Sequence, residues 1–129
     1  MQVVYVRGKP IYQGWATIGG KRHYFRSTWE IYYAVFLQEL KDQKKIIDWF
    51  YEPDTFWFDK IKRGTRSYLP DFKVIHLSKE IEYVEVKGYM DKKSATKIKR
   101  MRIYHPEIKL RVVTKAWFDK KGIKLAIPR

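Results

Sequence analysis

The fold is decided by two neighbouring segments, Tyr68-Leu-Pro-Asp-Phe-Lys-Val-Ile-His76 and Ile81-Glu-Tyr-Val-Glu-Val-Lys-Gly88. Both alternate apolar and polar residues and contain β-branched and aromatic side chains, so each is predicted to be a strand. Residues 77–80 between them suit a tight hairpin turn. Phe72 then shares a face with Val74, and the polar residues of both strands occupy the opposite face. The pair is therefore predicted to be an antiparallel hairpin with one apolar and one polar side.

The polar side of this hairpin is predicted to carry a divalent-cation site. Side chains directly opposite each other in an antiparallel pair point the same way. If the turn sets Asp71 opposite Glu85 or Lys87, two carboxylates and an ammonium converge on one small patch. Mg²⁺ is usually held by one or two carboxylates and keeps positions for water and phosphate. A cation of this kind activates water for hydrolysis, and a neighbouring lysine can orient that water or stabilise added negative charge.

Each of these charged residues also has a simpler interpretation. Asp71 follows Pro70 and could merely open a strand, since proline is tolerated at a strand start. Glu85 and Lys87 are two apart and could form a solvated face. The combination of Pro-Asp, thirteen intervening residues and Glu-x-Lys on adjacent strands favours the site.

A helix is predicted from Ser27 to about Lys44, because apolar side chains recur there at helical spacing. Ser27-Thr-Trp-Glu30 has the form of a capping box, in which the Glu30 carboxylate accepts a hydrogen bond from the Ser27 N–H. On local grounds alone, Glu30 is therefore explained without any ligand role.

A second helix is predicted from Lys92 to Tyr104, with Pro106 beyond its end. One side is expected to hold Ala95, Ile98, Met101 and Arg102, and another a basic stripe of Lys93, Lys97 and Arg100. The stripe begins close after the second hairpin strand, so we expect it near the polar patch.

The other elements are shorter and complete an α/β pattern. Short strands are expected before residue 25, with Gly19-Gly20 as a hairpin turn, and further strands are expected at 46–53, 55–58 and 110–114. A short helix is expected at 117–121 and a terminal element at 122–125. The acidic residues of the middle segment, among them Asp48, Glu52 and Asp54, show no site spacing and are expected to be solvated. The predicted class is α/β, a mixed sheet flanked by helices in a single domain.

Composition narrows the possible partners and compartments. The net charge is +14, of which residues 89–129 contribute +10, and this basic excess suggests nucleic acid rather than a membrane. A basic surface that serves only solubility is the alternative. No apolar run is long enough to span a membrane, and no signal-peptide pattern is present. The absence of cysteine excludes disulfides and fits a reducing compartment. We find no glycine-rich phosphate loop, so no nucleotide cofactor is expected.

Several motifs together resemble the PD-(D/E)-x-K nuclease superfamily, and within it the phage endonuclease I type of Holliday-junction resolvase. The resemblance covers roughly residues 25–125 and preserves the order of the motifs along the chain. The motifs are Phe25-Arg-Ser-x-x-Glu30, Tyr68-x-Pro-Asp-Phe72, Val84-Glu-x-Lys-Gly88, a lysine-rich helix, His105-Pro-Glu and Leu110-Arg-Val-Val113.

The resemblance implies a restriction-endonuclease-like fold, with a core at 26–125 and an N-terminal β-hairpin extension at 1–25. It assigns the metal, Mg²⁺ with Mn²⁺ as a substitute, to Asp71, Glu85, the Val86 backbone carbonyl and Glu30. It places Lys87 beside the attacking water, which makes Glu30, Asp71, Glu85 and Lys87 the catalytic set. The candidate DNA-binding residues are Arg26, Arg66, Lys92, Lys93, Lys97 and Arg100.

The expected function is Mg²⁺-dependent cleavage of branched or four-way-junction DNA by a homodimer, in a bacterial or phage-infected host cytoplasm. A four-way junction is nearly two-fold symmetric and needs paired cuts, which a two-fold dimer supplies. Two alternatives stay open. One is another endonuclease of the same superfamily, of transposase, repair or restriction type. The other is a non-catalytic DNA-binding module with a vestigial acidic patch.

Overall fold

A computed structural model describes residues 3–6, 9–12, 14–88 and 90–122, with only the backbone described in 3–6 and 9–12. The helices are α1 (Thr28–Asp42), α2 (Lys92–Tyr104) and α3 (Lys115–Lys120). The strands are β1 (Val3–Val6), β2 (Lys9–Tyr12), β3 (Gly14–Ile18), β4 (Lys21–Phe25), β5 (Ile46–Tyr51), β6 (Phe56–Trp57), β7 (Ser67–Tyr68), β8 (Phe72–His76), β9 (Ile81–Val86) and β10 (Lys109–Val113).

The central sheet has four strands in the order β10-β9-β8-β5. β8 pairs antiparallel with both β5 and β9, whereas β10 runs parallel to β9 after the crossover through α2. The sheet is therefore mixed and carries helices, which confirms the predicted α/β class. The β8–β9 hairpin is also confirmed, but its first strand begins at Phe72 and not at Tyr68, which belongs to β7. Its turn is closed by hydrogen bonds between His76 and residues 79 and 80, with Lys79 in the left-handed region at φ 72°.

One face of the sheet packs against α1 and α3. The core there includes Phe72, Val84 and Val113 from the strands, Tyr33 from α1 and Phe118 from α3, all at most 3% exposed. Aromatic rings contact across this layer, with the Tyr33 and Phe72 centroids 5.3 Å apart. The apolar side predicted for the hairpin is thus the side that α1 covers.

The opposite face is covered by α2 and by the small β6–β7 sheet. Its core is a separate cluster of Phe58, Tyr68 and Met101, against which Leu110 packs. This second layer brings Tyr68 and the start of α2 close to the polar side of the hairpin.

Helix α2 begins and ends as predicted but is rotated from the expected orientation. Ser94, Ile98 and Met101 are buried, whereas Ala95 and Arg102, expected beside Ile98 and Met101, are exposed. The buried residues are spaced four and three apart, and Ser94 lies in the first turn, where its N–H is bonded to the N-cap residue.

Two element ends differ from the prediction because residues there adopt positive φ. Helix α1 ends at Asp42, and Lys44, inside the predicted helix, has φ 59°. Strand β5 ends at Tyr51, since Glu52 turns away with φ 47°. The N-terminal hairpin around Gly19-Gly20 is confirmed as β3–β4. The predicted terminal element at 122–125 lies outside the described residues beyond Gly122. None of the described helices is long and apolar enough to cross a membrane.

Candidate active site

The register of the central hairpin brings the two predicted metal carboxylates together. Phe72 pairs with Val84 and Lys73 with Tyr83, so one further step sets Asp71 opposite Glu85. Of the two registers left open by the sequence, the structure therefore has Glu85, and not Lys87, across from Asp71. The Val86 N–H donates to Asp71 Oδ2 at 2.8 Å, which fixes the aspartate at the start of β8.

All four predicted catalytic residues line one cleft of about 440 Å³. Asp71 directly precedes β8, and Glu85 lies near the end of β9. Lys87 follows the end of β9, and Glu30 comes from the first turn of α1. Residues more than 50 positions apart in the chain are thus joined by the packing of α1 on the sheet. Val86 also lines the cleft. The role of its carbonyl as a metal ligand stays a prediction.

Buried tyrosine hydroxyls hold the two glutamates. Tyr68, 2% exposed, donates to Glu85 Oε2, and Tyr51, 7% exposed, donates to Glu30 Oε1. Since both rings are packed in the core, each hydroxyl holds one oxygen of a carboxylate that lines the cleft.

The predicted capping box forms differently at Glu30. Ser27 is the N-cap of α1, and its hydroxyl accepts from the Glu30 N–H at 3.2 Å, as expected. The Glu30 carboxylate, however, accepts from the Ser27 hydroxyl at 3.2 Å and from Tyr51, and not from the Ser27 N–H among its described contacts. The contact with Tyr51 draws the carboxylate from the helix end to the cleft, so capping and a place in the site are combined.

Three of the carboxylates that line the cleft, those of Asp71, Glu85 and Glu30, have raised pKa values. Burial raises the pKa of Asp71, and the charges of Glu85 and Glu30 raise it further. Burial likewise raises the pKa of Glu85 and of Glu30, against the lowering effect of their tyrosine partners. Among the described ion pairs none involves these three residues, since Arg26 pairs with Glu52 at 3.2 Å and Lys87 lies 4.0 Å from Asp91.

Carboxylate charge that is concentrated in one cleft at Asp71, Glu85 and Glu30, with no direct ion pair among the described residues, fits a divalent cation. Oxygen donors are what Mg²⁺ prefers, and a cation would offset the repulsion and desolvation that raise these pKa values. No group of three or more histidine, aspartate or glutamate side chains is gathered as a metal cluster in the described part of the chain. The donors that face each other are thus the Asp71 and Glu85 pair, with Glu30 at their side.

The candidate DNA-binding residues fall in three places. Arg26 and Lys97 line the cleft itself. Lys92 and Lys93 are exposed at the start of α2. The remaining two lie away from the carboxylates: Arg100 donates to the Thr65 carbonyl, and Arg66 lines a second hollow beside Trp57.

Sequence reasoning missed two acidic residues of the cleft, Glu52 and Asp91, whereas Asp48 and Asp54 do not line it, as expected. Glu52, expected to be solvated, lines the cleft because β5 pairs with β8 and the Glu52 N–H donates to the Asp71 carbonyl at 2.8 Å. Asp48 is held by the ammonium groups of Lys21 and Lys41, and Asp54 by Lys73 and a tyrosine hydroxyl. No local spacing signals these contacts, since each spans a strand pairing or a helix-to-strand packing.

Comparisons with protein-family models, curated proteins and solved structures give no significant match. The function is therefore argued from the cleft, the charge of the chain and the resemblance of its motifs.

Proposed function

We propose that this protein is a Mg²⁺-dependent endonuclease that hydrolyses phosphodiesters in branched DNA, such as a four-way junction. The observation that carries the proposal is the convergence of Asp71, Glu85, Glu30 and Lys87 in one open cleft of a chain with net charge +14. A carboxylate cluster with a lysine fits phosphate hydrolysis, and the basic surface fits a polyanionic substrate.

Asp71 and Glu85 would hold the cation, with the Val86 carbonyl and Glu30 beside them; Mn²⁺ is expected to substitute for Mg²⁺. The bound cation would supply an activated water and offset charge on the phosphate. Tyr68 and Tyr51 orient the glutamates so that their cleft-facing oxygens are pre-positioned. Lys87, whose charge lowers the pKa of Asp71 and Glu85, is placed to stabilise negative charge on the phosphate or to orient the water.

Phosphate contacts are assigned to the basic residues that surround the cleft. Lys97 and Arg26 lie within it, and Lys92 and Lys93 extend the positive surface along α2. Ammonium and guanidinium groups at such positions bind the backbone and fix the strand relative to the carboxylates without reading bases.

The preference for branched DNA follows from the resemblance to junction resolvases, and it implies a homodimer. The described chain carries one such cleft, and paired cuts across a two-fold substrate need two. The expected place of action is the cytoplasm of a bacterium or of a phage-infected host.

The test is incubation of the purified protein with labelled linear duplex and with a four-way junction, each with and without Mg²⁺. Junction cleavage that requires Mg²⁺ supports the proposal. Asp71→Asn and Glu85→Gln should abolish cutting yet keep junction binding, because the carboxylates serve the chemistry and the basic residues hold the phosphates. Normal cutting by either variant would refute the site.

The same experiment separates the alternatives. Equal cutting of linear duplex and junction would favour a nuclease of repair, transposase or restriction type. Tight DNA binding with no cutting under any metal would favour a non-catalytic DNA-binding module.

A further inference from the structure

A small two-stranded sheet next to the cleft exposes a tryptophan between a partly buried and a fully buried phenylalanine. In β6 and the residue after it, Phe56 packs against Tyr83 with centroids 5.0 Å apart, and Phe58 is 1% exposed. Trp57 between them is 56% exposed, because alternation along the strand turns its ring outward. The fold therefore gains little from burying this ring.

This sheet is held firmly in place by α2 and the residues around it. The Arg100 guanidinium donates to the Thr65 carbonyl, and His105 Nε2 donates to the Trp57 carbonyl at 2.8 Å. The Phe58 N–H donates to the Arg66 carbonyl at 2.9 Å. The exposed ring thus projects from an anchored strand, which keeps the ordering cost of binding low.

The surroundings of Trp57 are basic. The loop 60–66 contains four lysine and arginine residues and no acidic residue. Lys62 and Arg66 from this loop line a hollow of about 310 Å³ together with Trp57; Asp59 lines it as well, so two cations face one carboxylate there. An aromatic face beside basic side chains suits a nucleotide, since the base stacks on the ring and the phosphate lies against the cations.

The hollow lies close enough to the carboxylates for a single DNA strand to reach both. Arg66 lines the hollow, and Tyr68, which lines the cleft, follows only two residues later. Two residues of a strand span about 6.6 Å, which is about two nucleotide steps at 3.4 Å per step.

We propose that Trp57, with Lys62 and Arg66, binds an unpaired nucleotide of a DNA strand whose phosphates continue into the cleft. This inference rests on the proposed function, because it takes DNA as the substrate. It adds a physical basis for choosing branched DNA, since stacking is interrupted at a branch point and a nucleotide unpairs there more easily than within a continuous duplex.

The test is a binding measurement in EDTA, where cutting is excluded. Fluorescence anisotropy is recorded with a labelled duplex that ends in a short single-stranded overhang and with the same duplex made blunt. Trp57→Ala should weaken binding to the overhang DNA at least about fivefold, the loss expected when one base–aromatic stack is removed. Binding to the blunt duplex should change less than about twofold, and Trp57→Phe should keep most of the affinity.

Trp15→Ala is the matched control. Trp15 is 51% exposed, but the Arg22 guanidinium covers its ring at 4.4 Å from the centroid, on the separate β3–β4 hairpin. This variant should bind both DNAs like the parent. Both substitutions are at the surface, so both variants should melt within a few degrees of the parent.

Three results would overturn the inference. One is parental affinity of Trp57→Ala for the overhang DNA, and another is an equal loss on both DNAs. The third is a changed oligomeric state with unchanged DNA affinity, which would make this surface a protein interface. A parent that binds the overhang DNA through Trp57 but cuts nothing in Mg²⁺ would refute the nuclease and leave this site standing.

Discussion

Asp71→Asn should make the metal-free protein more stable while it abolishes cleavage. The reason is that burial and the charge of Glu85 both disfavour an ionised Asp71. Asp71 lies opposite Glu85, and the Cβ atoms of such a pair are on the order of 5 Å apart. Two unit charges at that separation repel by about 3 kcal/mol at an effective dielectric constant of about 20. The substituted asparagine removes that repulsion and still offers a side-chain oxygen to the Val86 N–H.

The expected gain is reduced by the weaker hydrogen bond. A neutral acceptor bonds the Val86 N–H about half as strongly as a carboxylate, a loss of about 1 kcal/mol. The net effect is about 2 kcal/mol in favour of the folded state. Unfolding entropy is about 2.1 cal/mol/K per residue, or about 0.27 kcal/mol/K for 129 residues. Asp71→Asn should therefore raise Tm by about 7 °C.

The assay is thermal unfolding followed by circular dichroism at pH 8 in EDTA. Asp48→Asn is the matched control, because Asp48 Oδ1 lies 2.6 Å from Lys21 Nζ and 3.1 Å from Lys41 Nζ. Burial acts to raise the pKa of Asp48, but its contacts with the two lysines lower it overall. Its ionised form is thus stabilised at every pH above its unfolded pKa, and the same chemical change there should lower Tm.

Mg²⁺ should reverse the order of the two proteins. At about one hundred times the dissociation constant, a ligand adds about 2.7 kcal/mol of stability, or about 10 °C for this chain, which exceeds the gain of about 7 °C from the substitution. The parent should show this rise and Asp71→Asn should not. The reasoning is refuted if Asp71→Asn melts at or below the parent in EDTA while the control behaves as expected. An equal rise of both proteins with Mg²⁺ would refute Asp71 as a ligand.

Three further outcomes are expected. Glu30→Gln should melt like the parent or slightly higher but cut junctions at least about a hundredfold more slowly, because the amide keeps the hydrogen bonds and loses the charge. The control Ser27→Ala should weaken the helix start and leave the chemistry intact. Cutting by Glu30→Gln at the parental rate would show that Glu30 only caps the helix. Tyr68→Phe should need about tenfold more Mg²⁺ for half-maximal cleavage, since the hydroxyl that orients Glu85 is lost; an unchanged Mg²⁺ titration would contradict that role. Replacing Lys93 and Lys97 together by alanine should flatten the salt dependence of junction binding by about two units of slope, and an unchanged slope would place the DNA elsewhere.

Features determined by local sequence could be predicted. The β8–β9 hairpin follows from alternation on both sides of a four-residue turn, and α1 from its apolar spacing and its Ser27 cap. Asp71 and Glu85 lie opposite each other because a short hairpin allows few registers. The pairing of these two carboxylates could therefore be predicted from the sequence as one of two registers.

Features determined by long-range packing could not be predicted. Tyr51 and Glu52 enter the site only because β5 pairs with β8, a contact that bridges about twenty residues and leaves no periodic signal. The rotation of α2, which buries Ser94 and exposes Ala95, depends on which surface the second core cluster presents. The bond from Tyr51 that draws Glu30 into the cleft likewise exists only once α1 is seated on the sheet.

The placement of the two main helices explains how the fold tolerates the acidic cleft. Both α1 and α2 begin at it, since Ser27 and Asp91, their N-caps, line its wall. A helix N-terminus favours a nearby negative charge by about 0.3–1 kcal/mol, and by about 2 kcal/mol in a partly buried geometry. Part of that effect is already used by the caps, so the two ends offset only a fraction of the roughly 3 kcal/mol of repulsion between Asp71 and Glu85. The remainder favours a bound cation, and once the cation is present the same helix ends and Lys97 favour the phosphate of an incoming strand.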